Sequence, residues 1–194
     1  MKISKEDMDI IFQEARTHRV FENRDVSDTL LAQIYDTLKM APTGANCQPG
    51  RFVFVKSPDA KQRLLPHIDP GNVKKVESAA VTVIIAGDTH FYDNMPRLYP
   101  HVDLQSYYTK NPEAANQAMY QNTCLQAAYL ILAARAFGLD CGPMGGFNRD
   151  GVDQEFFSDG RFKSNLLCNL GYGDKSKLHP RDERLSFDDA CRIL

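Results

Sequence analysis

One stretch constrains this chain more than any other. From Glu113 to Phe137 there is neither proline nor glycine, and Ala118, Asn122, Leu125, Tyr129, Leu132 and Ala136 recur at steps of four and three. That spacing predicts a single long helix with a heptad-like seam. Its flanks are also rich in Ala and Leu, so the helix is apolar on most sides and must be enclosed. In a chain of 194 residues, that demand predicts a subunit interface as well as an internal core. Gly138 is placed to end the helix.

Shorter elements surround it. Lys5–Ala15 carries Met8, Ile11, Phe12 and Ala15 at helical spacing. Ser27 is an N-cap for a second helix whose Leu30, Leu31, Ile34 and Leu38 share a face, with Asp28 in its first turn and Pro42 closing it. Arg51–Val55 reads as a strand, and Ser57-Pro58 as the start of a short helix. Val81–Ile85 is an apolar run, hence a strand buried on both faces. The polar, aromatic segment from Asp88 to Pro112 is expected to be a long loop, a lid or binding wall carrying Phe91, Tyr92, Tyr99, Tyr107 and Tyr108. Ser164–Gly171 is expected as a third strand, and Ser186 caps a last helix, Phe187–Ile193. There is no regular βαβ alternation, no repeat and no linker. The expectation is one α+β domain over 1–194, with helices packed about a small sheet.

Hydrophobic residues at 43% and charged residues at 25% exclude a disordered chain, and the net charge of −2 lacks the basic footprint of a nucleic-acid binder. The longest apolar stretch, Ala79–Gly87, falls well short of the ~20 residues a membrane span needs. The opening MKISKEDMDI has no apolar run of the signal-peptide kind. A cytoplasmic protein without a membrane partner is expected. Five widely spaced cysteines with no CxxC pair predict reduced thiols and no metal site.

Familiar catalytic signatures are absent: HExxH, GxSxG, a P-loop and GxGxxG do not occur. Cys47 has no identifiable base. What the chain does carry is a set of scattered segments suited to a flat, anionic ligand. Arg16-Thr17-His18-Arg19 offers two guanidinium forks and a hydroxyl, which suit a phosphate. Pro42-Thr43-Gly44-Ala45-Asn46-Cys47-Gln48-Pro49 combines small residues with carboxamides able to bond a heterocycle edge. Pro143-Met144-Gly145-Gly146-Phe147 lets main-chain N–H groups approach a ring. Asn72, Lys75, Arg181 and Arg184 add amide and cationic groups. Each segment alone is equally well a polar turn or a solvated charge.

Together and in this order, these segments resemble the nitroreductase family. The family's phosphate site is matched by Arg16 to Phe21. Its APSxxNxQPxxF pattern is matched by Ala41 to Phe52, with Thr43 in place of serine. Its Asn-x-x-Lys pair is matched by Asn72 and Lys75, its GPMxGF segment by Gly142 to Phe147, and its basic C-terminal site by Arg181 and Arg184. Two positions depart: Gly50 follows Gln48-Pro49 where many members carry an aromatic residue, and Ala15 stands where some place a basic one. The segments Ala15–His18, Gln126–Ile131, Lys163–Leu167, Gly171–Asp174 and Ser176–Leu178 are similar to the subgroup that includes malonic semialdehyde reductases and NADH dehydrogenase/NAD(P)H nitroreductases.

The resemblance implies a three-layer α/β/α sandwich with a small mixed, mostly antiparallel sheet and a long central helix, in an intertwined homodimer. It implies FMN as cofactor, NADH or NADPH as electron donor, and a small-molecule acceptor. Hydride would pass through the flavin in a ping-pong cycle, with no catalytic side chain required. By that resemblance Arg16, Arg19 and Arg184, with Arg181 and the Thr17 hydroxyl, hold the phosphate. Asn46, Asn72 and Lys75 face the ring's polar edge, Pro143, Met144, Gly145 and Gly146 lie on its N5 side, and Pro42, Thr43 and Gln48 complete the set. The subgroup implies reduction of malonic semialdehyde to the hydroxy acid. The alternatives are a general nitroaromatic or quinone reductase, a flavin-destroying or dehalogenating branch of the fold, which no added lid segment favours, a flavin-binding module without turnover, and a helical interaction protein with no cofactor.

Overall fold

The computed structural model describes residues 2–194. In chain order it contains α1 (Lys5–Met8), continued by a π turn at Asp9–Gln13, α2 (Asp28–Leu38), β1 (Gly50–Val55), α3 (Pro58–Leu64), α4 (Val73–Ser78), β2 (Val81–Asp88), α5 (Met95–Leu98), α6 (Leu104–Lys110), α7 (Pro112–Ala136), β3 (Asp140–Met144), α8 (Arg149–Phe156), β4 (Phe162–Gly171) and α9 (Phe187–Ala190). The helix starts follow the caps legible in the sequence. Ser27 Oγ accepts from the Leu30 amide, Ser57 Oγ from Ala60, and Ser186 Oγ from Asp189. Gly138, at φ 80°, follows the end of α7.

The four strands pair in the order β1-β2-β4-β3, and every pairing is antiparallel. The four strands are thus antiparallel, and the isolated Thr17–Cys141 bridge adds a parallel contact at the β3 edge. The central strand β2 is buried along its whole length, and its alternation divides the core. Val81, Val83 and Ile85 pack with α2 and α7, through Leu31, Ile34, Leu38, Ala127 and Leu130. Ile84 and Ala86 point to the other side, with Leu64, Val76 and Val152 from α3, α4 and α8. Each fully buried Val, Leu or Ile contributes about 1.5–3 kcal/mol, so this doubly covered strand anchors all three layers.

Several expectations are corrected. Asp88–Pro112 is not a loop. It folds into a 3₁₀ turn at Phe91–Asn94 and the short helices α5 and α6. They close over their own small core of Cys47, Phe91, Met95 and Ala115, with Tyr92, Tyr99 and Tyr108 against it. Pro143-Met144 is not in a turn but in strand β3, which the sequence reading omitted along with α4 and α8. The last helix stops at Ala190. The seam of α7 is also rotated from the face that packs within the chain. Its buried residues are Ala115, Asn122, Thr123, Gln126, Ala127, Leu130, Ala133 and Ala134, whereas Leu125 and Tyr129 are exposed.

Candidate functional site

The Arg16–Arg19 segment is pinned to the open edge of the sheet. Thr17 bridges Cys141 of β3, the His18 amide donates to the Cys141 carbonyl at 3.0 Å, and Phe21 bridges Gly173 beyond β4. Beside it a cleft of about 360 Å³ gathers Arg16, Arg19, Arg135, Lys177, Arg181 and Arg184 around the single carboxylate of Asp182, with Thr17 on its wall. The chain's net charge is −2, so this is a strong local excess of cations. The predicted Arg16, Thr17, Arg19, Arg181 and Arg184 therefore meet in one place. Their partners differ. Arg16 donates to the His179 carbonyl, and Arg19 Nη1 lies 3.3 Å from His179 Nε2. Arg181 donates to the Gln13 and Ala15 carbonyls at 2.6 and 3.0 Å, fastening the C-terminal segment to the end of the first helix. Among the described residues Arg184 hydrogen-bonds only the neighbouring Asp182 and Glu183 carbonyls. Arg135 donates from Nη1 to the Ile11 carbonyl, while its Nε is buried without a partner.

A second group adjoins the first. Asn72 precedes α4, and its side chain makes no cap. Instead Asn72 Nδ2 donates to the Gly146 carbonyl at 2.9 Å and Asn72 Oδ1 accepts from Lys75 Nζ at 2.6 Å. The Ile68–Phe147 bridge holds this corner against the end of β3, so Pro143, Met144, Gly145 and Gly146 lead into it. A Cβ at Gly146 would sit 2.6 Å from Asn72 Nδ2 and 2.8 Å from Asp69 Oδ2, so any larger residue there would push both side-chain ends aside. Partial burial holds the Lys75 ammonium below its usual range, and the positive charge of Arg19 adds to this. The Arg19 charge thus reaches Lys75, although Asn72 and Lys75 do not line the cleft.

The third group stands apart within the chain. The segment containing Pro42, Thr43, Asn46 and Gln48 does not line the cationic cleft; Gln48 lines another cavity beside α5 and α7. Its backbone is strained, with φ of 48° at Ala45, 54° at Asn46 and 40° at Gln48. Two carboxamides one turn apart on α7 hold it. Asn122 Oδ1 accepts from the Gly44 amide and Gln126 Oε1 from the Gly50 amide, both at 2.7 Å. Thr43 Oγ1 accepts from the Gln48 amide at 3.2 Å, and Asn46 Nδ2 donates to the Leu98 carbonyl at 3.0 Å. Cys47 is buried, and burial pushes its thiol up to about 11, which removes it as a nucleophile. Among the described residues no cluster of His, Cys, Asp and Glu could hold a metal ion.

The sequence reading missed Arg135, Lys177 and His179 in the cleft, and the part played by His18. That imidazole is buried, with Nε2 3.3 Å from Asp140 Oδ1 and Nδ1 unpartnered. Burial lowers its pKa from the ordinary 6.5, overriding the attraction of Asp140. Well above pH 6.5 both folded and unfolded chains carry a neutral His18, and its contribution is intact. As pH falls from 6.5 toward the lowered folded value, only the unfolded chain takes up the proton, so stability falls by at most about 1.4 kcal/mol per pH unit. Below the folded value the His18 contribution to the slope ends. Urea midpoints measured across this range should show the fall in the wild type and a shallower one in His18→Asn; parallel profiles would assign the fall to other groups.

The comparisons with known proteins agree with this architecture. The Nitroreductase family model matches residues 13–172. A protein of Ralstonia nicotianae carrying the provisional name NADH dehydrogenase/NAD(P)H nitroreductase is 54% identical over 187 residues, covering 96% of each chain. Among solved structures, a protein of Exiguobacterium sibiricum, described as a nitroreductase in complex with FMN, superposes with a TM-score of 0.88 at 23% identity, covering 100% of this chain and 99% of that one. One described as an NAD(P)H:FMN oxidoreductase of Staphylococcus epidermidis gives 0.86 at 22%, covering 100% and 98%. With the family model spanning most of its length and a relative this similar along nearly all of it, the chain belongs to the nitroreductase family.

Proposed function

We propose that the chain is an FMN-dependent NAD(P)H oxidoreductase that works as a homodimer, each flavin held by residues of both subunits. The carrying observation is the cationic cleft, with the hydrogen-bonded Asn72, Lys75 and Gly146 corner within electrostatic reach of its Arg19. The donor set fits the group. Guanidinium forks and the Thr17 hydroxyl are phosphate ligands, the buried Nε of Arg135 lacks a partner, and the carboxamides and main chain near Gly146 suit the polar edge of a flat ring. Arg16, Arg19 and Arg184 would hold the phosphate, and Arg181 would secure the segment that carries Arg184.

When bound, FMN supplies the redox chemistry, taking hydride from the nicotinamide and passing it to the acceptor in a ping-pong cycle. Lys75 would keep a positive charge against the ring, favouring its reduced form. Lys75→Met is therefore expected to lower the two-electron midpoint potential by roughly 30 mV, equivalent to ~1.4 kcal/mol. A dye-equilibrium titration showing no change would remove Lys75 from this role. The Pro42, Thr43, Asn46 and Gln48 group does not line its own chain's cationic cleft, which supports its serving the partner's site. Exposed Tyr120, Leu125, Tyr129 and Phe137 along and just beyond α7 are the apolar surface such a dimer would cover.

The acceptor we propose is malonic semialdehyde; general nitroaromatic or quinone reduction is the alternative, and relative kcat/KM separates them. The test of the function itself is the visible spectrum, followed by anaerobic NADH or NADPH. A flavin band that bleaches supports the proposal. A band that neither nucleotide bleaches indicates a binding module without turnover. A colourless protein that cannot be reconstituted with FMN contradicts it.

A further inference from the structure

The cavity of about 440 Å³ beside the strained Thr43–Pro49 segment has a lining unlike the phosphate cleft. Its walls include Tyr35, Gln48, Arg51, Asn94, Arg97 and Gln126, and no carboxylate faces it. The Arg51 charge is already matched. Its guanidinium donates to Asp88 Oδ2 at 2.7 Å and to the Gln48 and Gly50 carbonyls at 3.0 and 2.9 Å. Asp88 is shared with Arg161, which also reaches Asp93 at 3.3 Å, so two cations meet two anions. Arg97 is different: it forms no hydrogen bond or ion pair among the described residues, and it stands at the cavity as one uncompensated positive charge.

Two further donors go unused there. Gln126 is 3% exposed, its Oε1 is committed to the Gly50 amide, and its Nε2 forms no hydrogen bond among the described residues. The half-buried Asn94 carboxamide also has no hydrogen-bond partner among the described residues. A site offering one guanidinium and spare amide donors, with no carboxylate, suits a small monoanion that only accepts hydrogen bonds. A carboxylate meets that description. A diphosphate would leave charge unmatched.

We propose that this cavity receives the carboxylate of the electron acceptor, with Arg97 as the specificity-determining residue and Gln126 Nε2 and Asn94 as auxiliary donors. The proposal rests on the oxidoreductase reading above. Its link to that site is the chain of bonds from Gln48, in the cavity wall, to Asn46 Oδ1 at 2.7 Å and from Asn46 to the Leu98 carbonyl next to Arg97. A carboxylate anchored here would lie beside the segment proposed to face the ring, and preference would go to acceptors bearing an acid group.

The test is steady-state reduction of para-nitrobenzoate and its neutral analogue para-nitrobenzamide by FMN-loaded wild type, Arg97→Gln and Arg97→Lys. Arg97 is exposed, so both variants are expected to fold. Losing one charge-assisted contact at an open site should raise KM for the carboxylate about tenfold relative to the amide, with kcat little affected and Arg97→Lys intermediate. An Arg97→Gln effect equal for both acceptors, or absent for both, overturns the assignment while leaving the oxidoreductase intact. So does a KM increase confined to NADPH with the neutral acceptor, which would give the cation to the donor's phosphate. A wild type that reduces neither acceptor, though FMN is bound, contradicts the underlying function and this proposal with it.

Discussion

Replacing Arg16 and Arg19 together by alanine is expected to weaken FMN binding about 10³-fold, on the basis of roughly 1.5–3 kcal/mol for each lost hydrogen bond to a charged group. Both side chains line the cationic cleft, and neither lies in the buried core, so the fold should survive. Arg16 would also release the His179 carbonyl, and Arg19 its contact with the His179 ring. A second readout is electrostatic. Without the Arg19 charge the Lys75 ammonium should titrate closer to its ordinary range, because Arg19 contributes to its depression. Fluorescence titration of the apoprotein with FMN measures the affinity. A double variant binding within about threefold of wild type, where tenfold is ~1.4 kcal/mol, would remove the phosphate assignment.

The largest expected loss of stability comes from Asp88→Ala. This carboxylate is 1% exposed at the end of β2, and it accepts from Arg51 at 2.7 Å, from Arg161 at 2.9 and 3.1 Å, and from the His90 amide at 2.9 Å. Breaking a fully buried pair costs about 3–5 kcal/mol. Arg51 and Arg161 are 29% and 37% exposed and regain some water, so a loss of about 2–4 kcal/mol is expected. The damage should reach the site as well, since Arg51 also holds the Gln48 carbonyl at 3.0 Å. Urea unfolding gives the stability, and FMN affinity gives the second effect. A change under about 0.5 kcal/mol, the range of ordinary surface substitutions, would show that the network contributes little.

The elements read correctly from sequence are those whose signals are local. Ser27 before Leu30 and Leu31, the apolar Val81–Ile85 run and the stop at Gly138 each act within a few residues. β3 was hidden because Gly142 and Pro143 read as turn residues. Proline is tolerated there since β3 is an edge strand, where a missing N–H leaves no ladder bond unmade inside the sheet. α5 and α6 were read as loop because helices of four and seven residues have little intrinsic stability. Burial of Phe91 and Met95 in their own small core holds this region. The rotated face of α7 has a comparable cause. Gln126 looks wrong for a buried stripe until its bond to the Gly50 amide is seen, and Asn122, which the predicted seam did include, holds the Gly44 amide in the same way.

The same contrast holds at the candidate site. Arg16, Arg19, Asn72 and Lys75 were legible as motif residues, and Gly146 as a place where backbone must approach. Lys177 and His179 were not, because they reach the cleft through the 3₁₀ turn at Lys175–Lys177 and the extended segment beyond it. Arg135 was also missed: it sits in the last turn of α7, where a basic residue is expected for the helix dipole alone.

The central claim is that one flavin needs two copies of the chain, and subunit mixing tests it most directly. One variant would carry Arg16→Ala with Arg19→Ala, the other Thr43→Ala with Asn46→Ala, and neither homodimer should oxidise NADH or NADPH through bound FMN. Random reassortment makes half of the dimers mixed, each with one undamaged site, so activity should return to about a quarter of the wild-type value. If mixed dimers form and activity stays at the level of the separate variants, the two groups of residues do not build a shared site across the subunits.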